Sequence, residues 1–434
     1  MKKYEAYKNS GIEWIGEIPE GWEAKAFKHF VDLITTPSNS KRKIALENIE
    51  SKTGRFIPSD SEFEGNGISF EIGYIIYGKL RPYLQKVWEA EFEGNAVGDF
   101  FVYRVKANCI SRYLLYVMLS DNFTSAANGS TYGAKMPRVS SGFIANSIWY
   151  LPPLSEQRAI ASYLDHKVGQ IDASVSAINT QIEDLKAYRQ SVISEAVTKG
   201  LNPDAPMKDS GIEWIGEIPE GWEIIREKFL MKNYKSGPFG SSLITDKLLE
   251  SGNILVYTPE HVAKKTTQIN NNLYLPEDRK EEMSQFFVSP GEIVFPIVGT
   301  LGRAMVITED MPCGIINQRL AKFSLDANRI DYHFFLYLLT ECQLYKDYVY
   351  ENCRGSIIVN LTKEILSDMP IILPPLSEQQ AIASYLDAKT AKIDSTIKSL
   401  EAQRDDLNAL KQSVISEAVT GKIDVREWYK NHTE

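Results

Sequence analysis

LPPLSEQRAIASYLDHKVGQID occupies residues 151–172, and LPPLSEQQAIASYLDAKTAKID returns at residues 373–394. Two prolines forbid a helix from continuing backwards through either motif, and Ser155 and Ser377 read as N-caps of helices that start there. Beyond Ser155, apolar residues fall at Ile160, Leu164, Val168, Ile171, Val175, Ile178, Ile182, Leu185 and Val192, in steps of four and three apart from a polar Arg189. That is a heptad seam. The second copy repeats it at Ile382, Leu386, Ile393, Ile397, Leu400, Leu407 and Val414, interrupted by Thr390, Arg404 and Lys411. Gly200-Leu201-Asn202-Pro203 and Gly421 supply the breakers that end the two runs. About 44 helical residues at ~1.5 Å each make a rod of roughly 66 Å. A helix with one apolar stripe needs a partner, and the spacing predicts that each rod pairs with its own copy. The alternative is an amphipathic helix lying on its own domain.

Working outward, SGIEWIGEIPEGWE stands at Ser10–Glu23 and again, unchanged, at Ser210–Glu223, and QSVISEAVT at Gln190–Thr198 returns at Gln412–Thr420. The segments between these blocks share little. The chain is therefore built twice on one plan: opening block, variable segment, long helix. The expected division is 1–150 and 209–372 for two variable domains, with 151–208 and 373–434 for the helices and the segments that follow them. Gly73–Gly78, Phe100–Val105, Glu292–Val298 and Ile371–Leu373 read as strands, and Tyr113–Leu119 and Tyr332–Leu339 as helices packed on them. The predicted class is α+β: two mixed α/β domains joined by two long antiparallel helices in a coiled coil, related by a pseudo-two-fold.

With 434 residues there is room for two or more well-buried cores. No apolar run approaches the ~18–20 residues that span a bilayer, and MKKYEAYKNS lacks the apolar stretch of a signal peptide. Cys109, Cys313, Cys342 and Cys353 show no CxxC spacing and the five histidines make no HExxH, so neither disulfides nor a metal is expected. A reduced, cytoplasmic setting fits best. The net charge is -9. Residues 1–150 carry 18 basic and 17 acidic groups, whereas residues 209–372 carry 16 and 23. Phosphate affinity rests on Lys and Arg, so this balance alone argues against a nucleic-acid binder unless the basic groups share a face or a partner supplies more.

Motifs for catalysis are missing: no GxGxxG, no GxxxxGK[ST], no metal-ligand cluster, and no [DN]PP[YF] of an adenine methyltransferase. Over this length that favours a binding protein, not an enzyme. The candidates are loops. Tyr77-Gly78-Lys79-Leu80-Arg81-Pro82-Tyr83 alternates basic and aromatic groups after a strand, suited to phosphates or, through Arg81, to guanine. Lys41, Arg42 and Lys43, and the loop bearing Lys135 and Arg138, offer further backbone contacts. In the second segment Ser236, Phe239 and Ser241 lie in a Gly/Ser loop able to bring N–H groups near a phosphate, as does the loop before Arg303. Asn317, Gln318 and Arg319 combine amides suited to adenine with a guanidinium suited to guanine. Each stretch also reads as an ordinary surface loop. For the coiled coil, the pairing set is Ile160, Leu164, Ile171, Ile178, Leu185, Ile382, Leu386, Ile393, Leu400 and Leu407.

LPPLSEQ followed by AIASYLD, the twice-used GIEWIGEIPEGWE, YGKLRPYL at Tyr77–Leu84 and SGPFGSSL at Ser236–Leu243 together resemble the specificity (S) subunits of type I restriction–modification systems, across essentially the whole chain. The resemblance implies two target-recognition domains, each reading one half of a bipartite, asymmetric site in double-stranded DNA. It implies a coiled coil that fixes the spacing of the halves and docks two methyltransferase (modification) subunits, joined by motor-nuclease (restriction) subunits. S-adenosylmethionine, ATP and Mg are then expected on those partners and no cofactor on this chain. The alternatives are the recognition subunit of a type IIB-like restriction–methylation enzyme and a coiled-coil scaffold that binds proteins.

Overall fold

The copied blocks form helices of 46 and 44 residues, Leu154–Lys199 and Leu376–Val419. The computed structural model describes residues 2–11, 16–39, 42–59, 61, 63–133, 135–238, 248–299, 302–353 and 361–433. Both helices begin before the expected caps. The carbonyl of Pro153 accepts from the amides of Glu156 and Gln157 at 2.9 and 3.0 Å, and that of Pro375 accepts from Glu378 and Gln379 at the same distances. Ser155 and Ser377 thus lie inside the first turn and are not caps. A proline suits the position before a helix because it has no N–H to leave unsatisfied, while its carbonyl opens the ladder. The expected ends hold, with Gly200 at φ 79° and Gly421 at φ 71° in the left-handed conformation that stops a helix.

The chain divides into two compact units, Met1–Thr180 with Leu400–Glu434, and Gln181–Ser399, so each contains one half of each long helix. In the first unit Ile160, Leu164 and Ile171 are buried in or beside the core that takes in Ile415, Ala418 and Val419, and Lys411 meets Asp172 at 3.0 Å. In the second, Val192, Ile193 and Val197 share a core with Ile382 and Leu386, Ile393 is also buried, and Arg189 meets Asp394 at 2.9 Å. In both, rising numbers on one helix face falling numbers on the other: the pair is antiparallel. Ile178, Leu185, Ile397, Leu400 and Leu407 are only half-buried. A two-stranded seam without a third layer leaves its knobs partly wet. The polar interruptions have partners. Arg189 also reaches Glu341 at 3.0 Å, and Thr390 bonds the carbonyl of Leu386 at 2.7 Å.

Each unit holds a hairpin that the repeated block closes, Tyr7–Asn9 with Glu17–Pro19 in one and Met207–Asp209 with Glu217–Pro219 in the other. The next strand pairs with the strand that leads into the long helix, Glu23–Ala26 with Ile148–Leu151 and Glu223–Arg226 with Pro370–Leu373. The main sheets share one strand order. It runs Val31–Ile34, Phe100–Val105, Ile75–Gly78, Val87–Glu89 in the first unit and Met231–Ser236, Leu320–Leu325, Ile293–Pro296, Met305–Val306 in the second. A smaller sheet accompanies each, with one parallel pair: Lys43–Ile44 beside Gly94–Ala96, and Ile254–Tyr257 beside Gly314–Ile316. Helices Ser111–Leu119 and Asp121–Gly129, and Tyr332–Leu336 and Gln343–Asn352, bury aromatic and aliphatic side chains in the core of their own unit. The predicted strands and helices are therefore present, and the fold is α+β with two long paired helices.

Candidate nucleic-acid interface

The repeated side chains act as a seat. Gln157 is fully buried; its amide donates to the carbonyls of Pro152 at 2.8 Å and Asn108 at 3.0 Å, and its oxygen accepts from the amide of Ile110 at 2.8 Å. Gln379 repeats this with Pro374, Arg329 and Asp331 at 2.8, 3.0 and 2.7 Å. The preceding glutamates take the indole N–H of the opening block, Trp22 to Glu156 and Trp222 to Glu378, both at 2.9 Å. Asp165 and Asp387 accept Tyr116 and Tyr337, each at 2.8 Å. The SEQ and SYLD motifs thus fasten the opening block and the start of the first core helix to the long helix in each unit. Gln157 and Gln379 are wholly spent on the framework in this way.

In the first unit three loops are stitched together by main-chain bonds. The amide of Lys79 donates to Asp99 at 2.9 Å, that of Arg81 to Pro137 at 2.8 Å, and that of Val139 to Lys79 at 3.1 Å. Arg138 makes two bonds to Asp99, at 3.2 and 2.9 Å, and Lys79 lies 3.7 Å from the same carboxylate. These bonds hold the Asp99 carboxyl below the usual range, with Arg138 the larger cause. Lys79 and Arg138 are therefore engaged, with a brace that their sequence neighbours do not announce. Arg81 is different. It is exposed, its guanidinium has no partner among the described residues, and its backbone sits at φ 49°, a region costly for a side chain that bears a Cβ. Beside it Tyr83 is 47% exposed, and the linked loop presents Tyr132 at 60% and Met136 at 47%. Lys135 is exposed as well. The arrangement offers a free cation among bare aromatic faces, the chemistry that stacks on bases and pairs with guanine or phosphate. Tyr132 was not among the sequence candidates. Its flag was an aromatic residue before Gly133, which is at φ 89°.

In the second unit Gly237 is pressed against Asn317: a Cβ there would stand 1.9 Å from the Asn317 carbonyl oxygen, so no other residue fits. Its amide donates to Leu320 at 2.8 Å, and the Arg319 carbonyl accepts from Ile297 at 2.9 Å. This gathers Ser236, Asn317, Gln318 and Arg319 at one sheet end. Asn317 is partly engaged: its side-chain oxygen accepts from the Arg319 amide at 3.0 Å, which leaves one lone pair and the amide N–H groups for a base. Gln318, Arg319 and Arg303 are exposed. Phe239 and Ser241 lie outside the described residues, as does Lys41. Arg42 stacks 3.2 Å above the Phe92 ring centroid, and Lys43 is within a strand of the smaller sheet, so neither belongs to the Asp99 cluster. Among the described residues no group of three or more His, Cys, Asp or Glu side chains could hold a metal ion, and no helix is long and apolar enough to cross a membrane.

Asp99 and Arg319 precede matching strands, so the position that gathers cations in the first unit is itself cationic in the second. The two units thus share one framework and carry chemically different loop clusters. The family described as type I restriction modification DNA specificity domain matches residues 220–403. The chain is 27% identical over 430 residues to the type I restriction enzyme MjaVIII specificity subunit of Methanocaldococcus jannaschii, covering 94% of each. A solved structure from work on complex assembly and conformational transition of the type I R-M system matches with a TM-score of 0.72 at 18% identity, covering 94% of this chain and 99% of that one. The HsdS subunit from Thermoanaerobacter tengcongensis matches with a TM-score of 0.51, also at 18% identity, over 94% of this chain and 98% of its own. Residues 220–403 thus match the specificity-domain family, and the chain is similar over nearly its whole length to type I restriction enzyme specificity subunits.

Proposed function

We propose that this chain is the DNA sequence-specificity subunit of a type I restriction–modification complex, with each unit reading one half of a bipartite, asymmetric site. One observation carries this: framework bonds recur partner for partner in both units, while the exposed loops they seat differ in the sign of charge at Asp99 and Arg319. A scaffold for two copies of one partner would have no reason to vary those loops. The chain itself is non-catalytic in this reading. Methyl transfer and cleavage belong to modification and restriction subunits, which also supply the positive charge that a net -9 lacks. Sequencing methylated adenines in cells that express the chain with its modification subunit tests the reading. One asymmetric two-part motif is expected, and methylation without such a motif contradicts it.

Arg81→Ala is expected to weaken binding of the cognate site by the modification complex by ~1–3 kcal/mol and to relax one base position. If Arg81 meets a phosphate instead, affinity falls evenly across sequences and the salt slope drops by about one ion. Titrations at several salt concentrations distinguish the two, and unchanged affinity and slope remove Arg81 from the interface.

The paired helices set the gap in this reading. Matched four-residue insertions near Ala177 and Asp406 lengthen the pair by about one turn, ~6 Å. At ~3.4 Å per base pair, that is roughly two base pairs. The expected product is a methylation motif with the same half-sequences and a longer gap; altered half-sequences with the old gap would exclude a ruler.

A further inference from the structure

One framework residue is covered in the first unit and bare in the second. Tyr163 and Tyr385 hold the same place in ASYLD, yet Tyr163 is 4% exposed and Tyr385 is 42% exposed. The cover over Tyr163 is the helix Arg426–Thr433. Its Trp428 packs edge-on against Tyr163 with ring centroids 5.2 Å apart, and lies 5.4 Å from His166. Arg426 lies 4.8 Å from the Tyr4 ring centroid and 4.0 Å from Glu156, its guanidinium held by Asp424. Tyr7 donates to the Gly421 carbonyl at 3.1 Å and fastens the point where this segment leaves the long helix.

In the second unit the chain runs from Gly200 straight into the next opening block, so no such helix follows. A groove of about 630 Å³ remains, lined by Tyr385, Tyr188, Val192, Glu195, Leu201 and Met207. Tyr188 is 48% exposed and Leu201 42%. Lys389 lies 5.4 Å from the Tyr188 ring centroid, and contiguous exposed aromatic and aliphatic groups of this kind mark a contact surface.

We propose that this groove is the docking socket for a short helix of a partner protein, one that presents an indole beside a guanidinium as Arg426–Thr433 does. The filled counterpart specifies the chemistry. Tyr385 stands where Tyr163 receives Trp428. Glu378 stands where Glu156 faces Arg426, and Glu195 adds a second carboxylate at the rim. A second copy of this chain is not the occupant. Among the described residues there is one such helix for two sockets, so exchange between copies fills one socket only by emptying another, with no net gain in contacts. The occupant proposed is therefore a helix of a different polypeptide. Nothing here depends on what the loops read.

A fluorescein-labelled peptide of residues 421–433, titrated into the full chain and followed by anisotropy, tests the socket. One peptide is expected to bind per chain. Tyr385→Asp, at an exposed position that the fold does not need, is expected to weaken binding about tenfold or more through loss of the aromatic contact. A peptide with Trp428→Ala is expected not to bind. Absence of binding at millimolar peptide, or binding that Tyr385→Asp leaves unchanged, overturns the proposal.

Discussion

Glu227→Gln stabilises the second unit, and the gain grows with pH. Glu227 is fully buried at the start of the turn Glu227–Phe229, and neither of its carboxylate oxygens has a hydrogen-bond partner among the described residues. Burial pushes its pKa up from 4.5 to about 8. Below the lower value the folded and unfolded chains both hold the proton, and the group costs nothing through ionisation. Between the two values the folded chain retains a proton that the unfolded chain has released, so stability falls as pH rises, and the loss is complete above the upper value. A displacement of that size corresponds to about 4–5 kcal/mol. Glutamine cannot ionise and escapes this loss. Urea unfolding of both chains from acid to mildly alkaline pH measures it, and a difference that stays flat with pH would falsify the buried-carboxyl account. The matching position of the first unit is Phe27, packed among Phe30, Tyr103 and Phe123 with centroids 5.6–6.0 Å away.

Gln379→Ala is expected to cost the second unit on the order of 3–5 kcal/mol, because it orphans three main-chain groups at once. The carbonyls of Pro374 and Arg329 lose their donor and the amide of Asp331 loses its acceptor. Gln157→Ala does the same in the first unit to Pro152, Asn108 and Ile110. Hydrogen exchange read by mass spectrometry locates the damage. Faster exchange is expected around residues 329–337 in one variant and around 108–116 in the other, each with little change in the opposite unit. Protection that survives in both variants shows that the glutamines are dispensable.

The framework was legible in the sequence because heptad steps, prolines and breakers act over a few residues. Strands such as Phe100–Val105 matched for the same reason. The helix starts were misjudged by local logic too: a serine is a good cap in general, but here the proline before Leu154 and the proline before Leu376 already open the ladders. Long-range pairings were not legible. Asp99 gives no local sign that it will hold Lys79 and Arg138, because the loop that brings Arg138 arrives from nearly forty residues downstream. Asn317 likewise gives no local sign that its side-chain oxygen will accept from the Arg319 amide two residues on. Glu227 was hidden by the repeat itself, since the copied block ends at Glu223 and the core position lies just beyond it.

The seat has one more property. Gln157 and Gln379 hold the variable segments only through main-chain atoms, the carbonyls of Asn108 and Arg329 and the amides of Ile110 and Asp331. A carbonyl or an amide is supplied by almost any residue, so the two glutamines place little demand on the identity of what they hold, whereas Asp165 and Asp387 ask for a hydroxyl such as those of Tyr116 and Tyr337. A foreign segment of the same topology, inserted between the copied blocks, would find its main-chain anchoring bonds ready and would need a hydroxyl only at the place of Tyr116 or Tyr337. The copied blocks therefore act as a fixture that constrains the topology of a variable segment far more than its sequence.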